Sequence, residues 1–230
     1  MNTQKRVLLL VGSPRRPKST SESLGMYLLD RLNEIGLITE KISIHKSLKS
    51  DRGLDNLLST VDRSDIIILA FPLYVDSLPA PVIKAMELIS EHRKTTQETR
   101  KQQLLAISNS GFPEASQNAT ALNICRYFAL KLGFEWIGGL ALGGGAAIDG
   151  RLLKDLGGMV RNITKSLDVT AVALAEGKPI PQEAVDKMAK PIIPTWLYMF
   201  FGGVGWKRQA KRYGAKKNLR NQPYKNENKI

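Results

Sequence analysis

A run of hydroxyl and cationic residues follows the first apolar segment of the chain. This first loop (residues 12–21) reads GSPRRPKSTS and leads into a helical pattern. The start of a helix carries unsatisfied N–H groups and the positive end of the helix dipole, so it can hold a phosphate. Ser19, Thr20 and Ser21 add hydroxyls and Arg15 adds a charged clamp. We favour a phosphate site over the simpler alternative, a Ser19 cap beside solvated arginines, because capping needs only one hydroxyl.

The first loop also resembles the end of a nucleoside-triphosphate P-loop, since Lys18 and Ser19 stand in the order of that motif. The second glycine of the motif would fall at Pro17. Proline has no N–H to offer a phosphate. We therefore reject the P-loop interpretation.

Two more segments at predicted strand ends carry unusual side chains. The second loop (residues 72–79, PLYVDSLP) exposes Leu73, Tyr74 and Val75, a surface suited to a flat amphipathic ring; a hydrophobic cover for the sheet end explains it equally well. The third loop (residues 108–113, SNSGFP) offers hydrogen-bonding groups at Asn109 and Ser110. At Gly111 the backbone can approach a ligand closely.

Five short apolar runs alternate with helical patterns along the chain, and the runs are predicted to be β-strands. The predicted strands are Arg6–Val11, Ile38–Ile44, Asp65–Phe71, Gln103–Ser108 and Phe134–Leu142. The predicted helices are Ser19–Ile35, Asp55–Asp62, Pro81–Glu91, Glu114–Leu132 and Arg151–Ala175.

This alternation predicts an α/β protein with a five-stranded parallel sheet covered by helices on both faces. The polar turn after the first strand favours the doubly wound order 2-1-3-4-5. Ligands of such sheets bind outside the carboxyl ends of the strands, where the strand order reverses. We therefore expect the first, second and third loops to form one site.

The combination of motifs is more specific than any single loop. "GSPR" followed by "ST", then "PLYVDSLPAPVIKAME", then "SNSG" resembles the flavodoxin-like NAD(P)H-dependent FMN reductases, near the iron–sulfur flavoprotein branch, over about residues 5–175. The resemblance implies that the FMN phosphate is bound by Ser13, Arg15, Ser19, Thr20 and Ser21. It implies that the flavin ring and ribityl chain are flanked by Pro72, Leu73, Tyr74, Val75, Asn109, Ser110 and Gly111.

The resemblance also implies an enzyme in which NAD(P)H reduces bound FMN and the flavin reduces a quinone, a nitro or azo compound, a metal ion or free flavin. The flavin carries such chemistry, so no catalytic acid or base is expected. A flavodoxin-type electron carrier without NAD(P)H activity is the alternative, although carriers of that kind are typically shorter and acidic. A flavin-free scaffold protein is a third hypothesis.

Two departures from the family pattern matter. Ser90–Lys101, where the iron–sulfur branch carries its cysteines, contains none, and the single Cys125 rules out a cysteine-held cluster and an internal disulfide. Lys18 replaces a glycine often seen in the first loop. We expect Cys125 in the core and surface roles for His45 and His92. At Gly143–Gly150 the dinucleotide-binding glycine spacing is broken, and we favour a plain connection over a flexible turn beside the flavin.

The C-terminal region differs from the rest in composition. Residues 201–230 contain nine lysines and arginines and a single acidic residue, Glu227. This segment therefore carries +8 of the net charge of +13. We divide the chain into an FMN-binding domain (residues 1–178) and an aromatic, basic helical extension (residues 179–230). We favour packing of the extension on the domain or on a second subunit of a homodimer, as a lid over the partner's flavin, over contact with an anionic membrane surface. We expect a cytoplasmic protein that binds no nucleic acid.

Overall fold

The computed structural model describes residues 4–15, 18–96 and 100–222, together with every side chain in those ranges except that of Phe201. Arg16 and Pro17 of the first loop, and Lys225, Glu227 and Lys229 of the basic tail, lie outside the described residues. The chain separates into two compact units, Met1–Ile192 and Ile193–Ile230.

Five β-strands form one sheet in the first unit, and all their neighbours are parallel. The strands are β1 (Arg6–Val11), β2 (Ile38–Ser43), β3 (Ile66–Pro72), β4 (Gln103–Asn109) and β5 (Glu135–Leu142). Their order is β2-β1-β3-β4-β5. The predicted doubly wound, flavodoxin-like α/β fold is therefore confirmed. The central strands are almost entirely buried, as continuous apolar runs in parallel sheets should be.

Eight α-helices accompany these strands in the described part of the chain. They are α1 (Thr20–Glu34), α2 (Ile44–Ser47), α3 (Asp51–Arg63), α4 (Ala80–Thr96), α5 (Ala119–Lys131), α6 (Arg161–Glu176), α7 (Gln182–Ala189) and α8 (Thr195–Arg212). Alternate residues of the strands divide the core in two. One half packs against α1, α6 and α7, and the other against α2 to α5. No helix of residues 4–15, 18–96 and 100–222 combines the length and apolar character needed to cross a bilayer.

Two predicted helices begin later than expected. The predicted helix Glu114–Leu132 starts with a 3₁₀ turn, Ala115–Asn118, because the Asn118 side chain turns inward and bonds the sheet end instead of continuing a regular helix. The predicted helix Arg151–Ala175 starts with 3₁₀ turns over Leu153–Val160. Gly157 interrupts these turns with φ +52° and ψ −136°, which a helix cannot accommodate.

The helix α7 belongs to the first unit. Its Ala184 carbonyl accepts a hydrogen bond of 2.6 Å from the buried Ser166 hydroxyl of α6. Just before α7, the Ile180 N–H donates to the carbonyl of Ile137 in β5 at 2.7 Å. A β-bulge at this point of β5 leaves Gly138 with φ +142°, and an added Cβ there would lie 2.9 Å from Ile180. A backbone hydrogen bond to β5 and a side-chain hydrogen bond from α6 thus hold the chain to the first unit as far as α7.

Candidate functional site

The three candidate loops leave the sheet at one edge. In the register of the sheet Val11 of β1 lies beside Ala70 of β3, and Pro72 of β3 lies beside Asn109 of β4. The N–H of Leu73 continues this ladder by donating to the Asn109 carbonyl at 2.8 Å. The carboxyl ends of β1, β3 and β4 therefore bring the three loops together, as the strand order predicts.

The first loop ends in the N-terminus of α1. Ser19 has the extended backbone of an N-cap residue, and its Oγ accepts the Glu22 N–H at 3.2 Å. Thr20 and Ser21 are the first two helical residues, and their backbone N–H groups have no acceptor among the described residues. Ser13, buried like these three, accepts the N–H of Arg15 at 3.3 Å. The loop thus presents two amide donors at the positive end of a helix.

The hydroxyls of Thr20 and Ser21 hold the first loop to its neighbours. Thr20 Oγ1 donates to the Gly145 carbonyl at 2.9 Å, and Ser21 Oγ donates to Asn109 Oδ1 at 2.7 Å. Both bonds are buried. Both hydroxyls therefore donate within the protein. The donors that the first loop can still offer to a phosphate are the amides of Thr20 and Ser21 and the Arg15 guanidinium.

Arg15 forms an ion pair with Asp149. The distance from Arg15 Nη1 to Asp149 Oδ1 is 2.6 Å, and the two side chains are 61% and 58% exposed. Asp149 has φ +50°, a left-handed conformation that aspartate tolerates better than most residues. The sequence singled out Arg15 and did not identify its partner.

A fourth loop, Gly143–Gly150, closes over the first and third loops. The Gly145 N–H donates to the Ser110 carbonyl at 2.8 Å, while the Gly145 carbonyl accepts from Thr20. An added Cβ on Gly145 would lie 3.1 Å from Asn109 Nδ2, and one on Gly150 would lie 2.7 Å from the Lys18 backbone. Glycine is required at Gly150, where φ is +72° and the Lys18 backbone is too close for a side chain, whereas an added Cβ at Gly145 would make a tight contact with Asn109. The segment therefore does more than connect two elements, because it joins the first and third loops.

The second loop is a tight hairpin. Tyr74 and Ser77 exchange both backbone hydrogen bonds, at 2.9 and 3.0 Å, and the two residues between them, Val75 and Asp76, have φ of +49° and +56°. Two successive positive φ values characterise a type I′ turn, in which a β-branched residue is strained. The Val75 side chain is 98% exposed, and the Tyr74 side chain is also exposed. The loop therefore projects apolar surface at the edge of the sheet where the other loops meet.

The third loop is fixed by a buried asparagine that the sequence analysis overlooked. Asn118 Oδ1 accepts from Ser108 Oγ at 2.8 Å, and Asn118 Nδ2 donates to Ser110 Oγ at 3.4 Å and to the Leu142 carbonyl at 3.3 Å. The sequence shows only an asparagine near the start of an apolar helix pattern, and the complete burial of Asn118 is visible only in the structure. Asn109 and Ser110 are buried, whereas Gly111 is exposed with nothing within 4 Å of an added Cβ.

This arrangement fits an FMN molecule. A phosphomonoester dianion needs several convergent donors and few nearby carboxylates. The first loop offers the Thr20 and Ser21 amides and the Arg15 guanidinium, with Asp149 as the carboxylate that contacts Arg15. An aromatic ring system needs apolar surface with hydrogen-bonding groups along its edge. The second loop supplies apolar surface at Tyr74, and the third loop supplies the side-chain amide of Asn109. The donor set and the apolar surface share one edge of the sheet.

The remaining reactive side chains lie elsewhere. Cys125 is completely buried in the core, and burial raises the pKa of its thiol to about 12. His92 Nε2 lies 2.7 Å from Asp62 Oδ2, a contact between α4 and α3. Within the described ranges no three His, Cys, Asp or Glu side chains are grouped as a metal site would require. The prediction that Cys125 belongs to the core is confirmed.

Solved structures with the same fold include several reductases, one of them in complex with FMN. The NAD(P)H:quinone oxidoreductase from Methanothermobacter marburgensis is 14% identical with a TM-score of 0.56, over 75% of this chain and 96% of that one. An FMN-dependent NADH-azoreductase from Bacillus anthracis, in complex with FMN, is 14% identical with a TM-score of 0.54, over 74% and 100%. A flavone reductase is 14% identical with a TM-score of 0.56, over 76% and 65%. At such identities the likeness shows the fold alone.

Sequence comparison identifies the family. Among curated proteins none matches this chain. The family model described as NADPH-dependent FMN reductase matches residues 5–124, more than half of the chain. The matched region contains β1 to β4 and the first three loops of the site. The chain therefore belongs to the NADPH-dependent FMN reductase family.

Proposed function

We propose that the first loop binds the phosphate of FMN. The observation that carries the proposal is the pair of amides at the start of α1, on Thr20 and Ser21, which have no acceptor among the described residues and belong to the same loop as Arg15. Ser13 and Ser19 complete this wall of the site with buried hydroxyls. A dianion at this position gains both the helix dipole and charge-assisted hydrogen bonds.

The flavin ring is proposed to lie between the second and third loops. Pro72, Leu73, Tyr74 and Val75 offer apolar surface for one side of the ring. Asn109, Ser110 and Gly111 offer polar groups and a backbone without a side chain for its edge and for the ribityl chain. The Leu73 amide holds the Asn109 backbone carbonyl and Ser21 holds the Asn109 side chain, which is therefore oriented before a ligand arrives.

Bound FMN would accept a hydride from NAD(P)H and pass the electrons to a second substrate. The chain's contribution is to anchor the phosphate, to hold Asn109 and Ser110 at the ring edge, and to leave the ring accessible beside an exposed hairpin. None of these roles needs a side chain that exchanges protons at neutral pH. The buried Cys125 and the paired His92 are consistent with this, because neither belongs to the loops.

The second substrate is proposed to be a small planar acceptor, a quinone or an azo compound. The exposed Tyr74, Val75 and Phe112 give the carboxyl edge an apolar rim, which favours flat aromatic molecules over a hydrated metal ion. The names of two structural neighbours, a quinone oxidoreductase and an azoreductase, support the same choice. Nitro compounds and free flavin share the flat shape and belong in the same substrate screen.

The test begins with the visible spectrum of the purified protein and a titration of the flavin-free form with FMN. The FMN-loaded protein is then mixed anaerobically with NADPH or NADH in a stopped-flow instrument. We expect the oxidised flavin band to bleach within seconds, and to return when a quinone or an azo dye is added. A protein that binds no FMN refutes the site. A protein that binds FMN but is reduced by dithionite and not by NAD(P)H is an electron carrier and refutes the enzyme.

A further inference from the structure

The second unit carries an exposed row of large apolar side chains. In α8, Trp196 is 71% exposed, Met199 63% and Trp206 74%. Their spacing of three and seven residues places them along one side of a helix, and Phe200, which is also exposed, lies next to this row. Isolated apolar residues on a surface are ordinary, but a row that includes two tryptophans indicates an interaction surface.

Charge is distributed unevenly along the same unit. Residues 193–206 contain no charged side chain, and residues 207–222 contain only cationic ones. The cations are Lys207, Arg208, Lys211, Arg212, Lys216, Lys217 and Arg220, all of them exposed. No aspartate or glutamate occurs between residues 193 and 222. A surface that binds here must therefore be anionic and must accept aromatic side chains at one end of the helix.

The positions of the aromatic side chains relative to the cations distinguish a nucleic-acid partner from a membrane partner. Single-stranded nucleic acids are bound by aromatic side chains that stack on bases within a cationic groove. In α8 Trp196 and Phe200 lie in the uncharged half, whereas Trp206 directly precedes Lys207 and Tyr213 follows Arg212. Stacking on bases within a cationic groove would therefore use Trp206 and Tyr213 and leave the exposed Trp196 without a role. The interface of an anionic bilayer matches this order, because tryptophan and phenylalanine enter the headgroup layer while lysine and arginine attract the charged lipids.

The length and composition of α8 favour a position on the surface of the bilayer. Eighteen residues of helix measure about 27 Å, close to the thickness of the hydrocarbon core, but the C-terminal part of α8 carries Lys207, Arg208, Lys211 and Arg212. Gly202, Gly203 and Gly205 in the middle remove side chains that would add apolar area. The apolar row can enter the headgroup layer only if the helix lies along it.

We propose that α8 and the basic turn after it bind the surface of membranes rich in anionic phospholipid, with Trp196, Met199 and Trp206 in the headgroup layer. The cations from Lys207 to Arg220 provide the attraction to the lipid phosphates. The proposed surface uses no residue of the four loops of the candidate flavin site. It would place the enzyme at a membrane without a spanning segment.

The test uses the full-length protein loaded with FMN and its sedimentation with vesicles of phosphatidylcholine alone or mixed with phosphatidylglycerol. We expect binding only to the mixed vesicles, and weaker binding as salt is added. The double variant Lys207→Gln/Lys211→Gln should bind about tenfold more weakly. The variant Trp196→Ser/Trp206→Ser should also lose binding while it keeps its FMN.

The matched control is Lys131→Gln/Lys165→Gln, which removes two exposed lysines of the first unit and should bind like the unmodified protein. Equal losses in the two lysine variants would overturn the proposal, as would no binding to the mixed vesicles. Two other results would also overturn it. One is retention by an RNA oligonucleotide but not by vesicles. The other is that Trp196→Ser/Trp206→Ser separates a dimer, seen by analytical ultracentrifugation, without changing vesicle binding.

Discussion

Ser21 Oγ donates a hydrogen bond of 2.7 Å to Asn109 Oδ1, joining two loops that lie 88 residues apart in the chain. Ser21 belongs to the first turn of α1, and Asn109 is the last residue of β4. Both are buried, so the bond is shielded from water. The pair couples the proposed phosphate site to the proposed edge of the flavin ring.

Replacing Ser21 by Ala should therefore affect both stability and binding. The free energy of unfolding of the flavin-free protein should fall by about 1 kcal/mol, because the Asn109 amide loses a buried partner. FMN affinity should fall as well, since Asn109 is no longer oriented. Urea unfolding and quenching of FMN fluorescence measure the two effects. Ser23→Ala is the control, because the buried Ser23 hydroxyl bonds only the Ser19 carbonyl of its own helix turn. A Ser21→Ala variant that resembles Ser23→Ala in both measurements would show that the coupling does not reach the ligand.

Arg15 should discriminate FMN from riboflavin, which lacks the phosphate. Arg15→Ala should weaken FMN binding by about tenfold or more, because hydrogen bonds to a charged group contribute about 1.5–3 kcal/mol. Riboflavin affinity should not change. Arg126→Ala removes an exposed arginine of α5 and serves as the control. Unchanged FMN affinity in Arg15→Ala would remove Arg15 from the phosphate site.

If the first loop binds the FMN phosphate as proposed, Asp149 competes with that phosphate for the Arg15 guanidinium. An exposed ion pair of this kind is worth at most about 1 kcal/mol, so Asp149→Asn should tighten FMN binding a few-fold. Asparagine tolerates the φ of +50° at this position, and the fold should not suffer. Titration with FMN measures the change, with Asp155→Asn as the control for the loss of one exposed carboxylate. Weaker binding in Asp149→Asn would show instead that Asp149 orients Arg15 toward the ligand.

Gly111→Ala tests whether a ligand approaches the third loop. An added Cβ at Gly111 meets nothing within 4 Å in the protein, and its φ is not positive. The melting temperature of the flavin-free protein should thus be unchanged. FMN affinity should fall several-fold, because the methyl group would occupy space against the ring. Gly158→Ala, equally open, is the control in the first unit. Unchanged FMN affinity would place the flavin away from Gly111.

The strands could be predicted because buried parallel strands have short continuous apolar sequences, and their order because a polar turn follows the first strand. Arg6–Val11 was predicted with its observed bounds, and the run around Ile66 was shifted by a single residue at each end. The three loops followed from topology, since the strand order decides which strand ends are neighbours. Side-chain chemistry then singled out Arg15 and the hydroxyls that surround it.

The bracing of the site could not be predicted, because it depends on backbone groups. Gly145 contributes a carbonyl and an N–H, and Gly150 contributes only a close approach to Lys18. Such roles leave no mark on residue type beyond a cluster of glycines. Asn118 was hidden for a different reason. Its buried hydrogen bonds join residues on β4 and at the end of β5, and sequence spacing does not reveal these pairs.

Cys125 should be inert in the folded protein. Burial raises the pKa of its thiol to about 12, whereas the pKa of an exposed cysteine is about 8.5. At pH 8 the folded protein therefore holds no thiolate, and iodoacetamide should label Cys125 only as fast as the chain unfolds. The stabilisation linked to this proton is complete below the pKa of the unfolded thiol and is lost as the pH rises toward 12.

Mass spectrometry with and without urea measures the labelling, and Cys125→Ala supplies the unlabelled baseline. That variant should keep its NADPH-dependent flavin reduction, because the thiol is packed in the core between α5 and the sheet. Rapid labelling of the folded protein, or loss of flavin reduction in Cys125→Ala with FMN still bound, would contradict the view that the cysteine only fills the core.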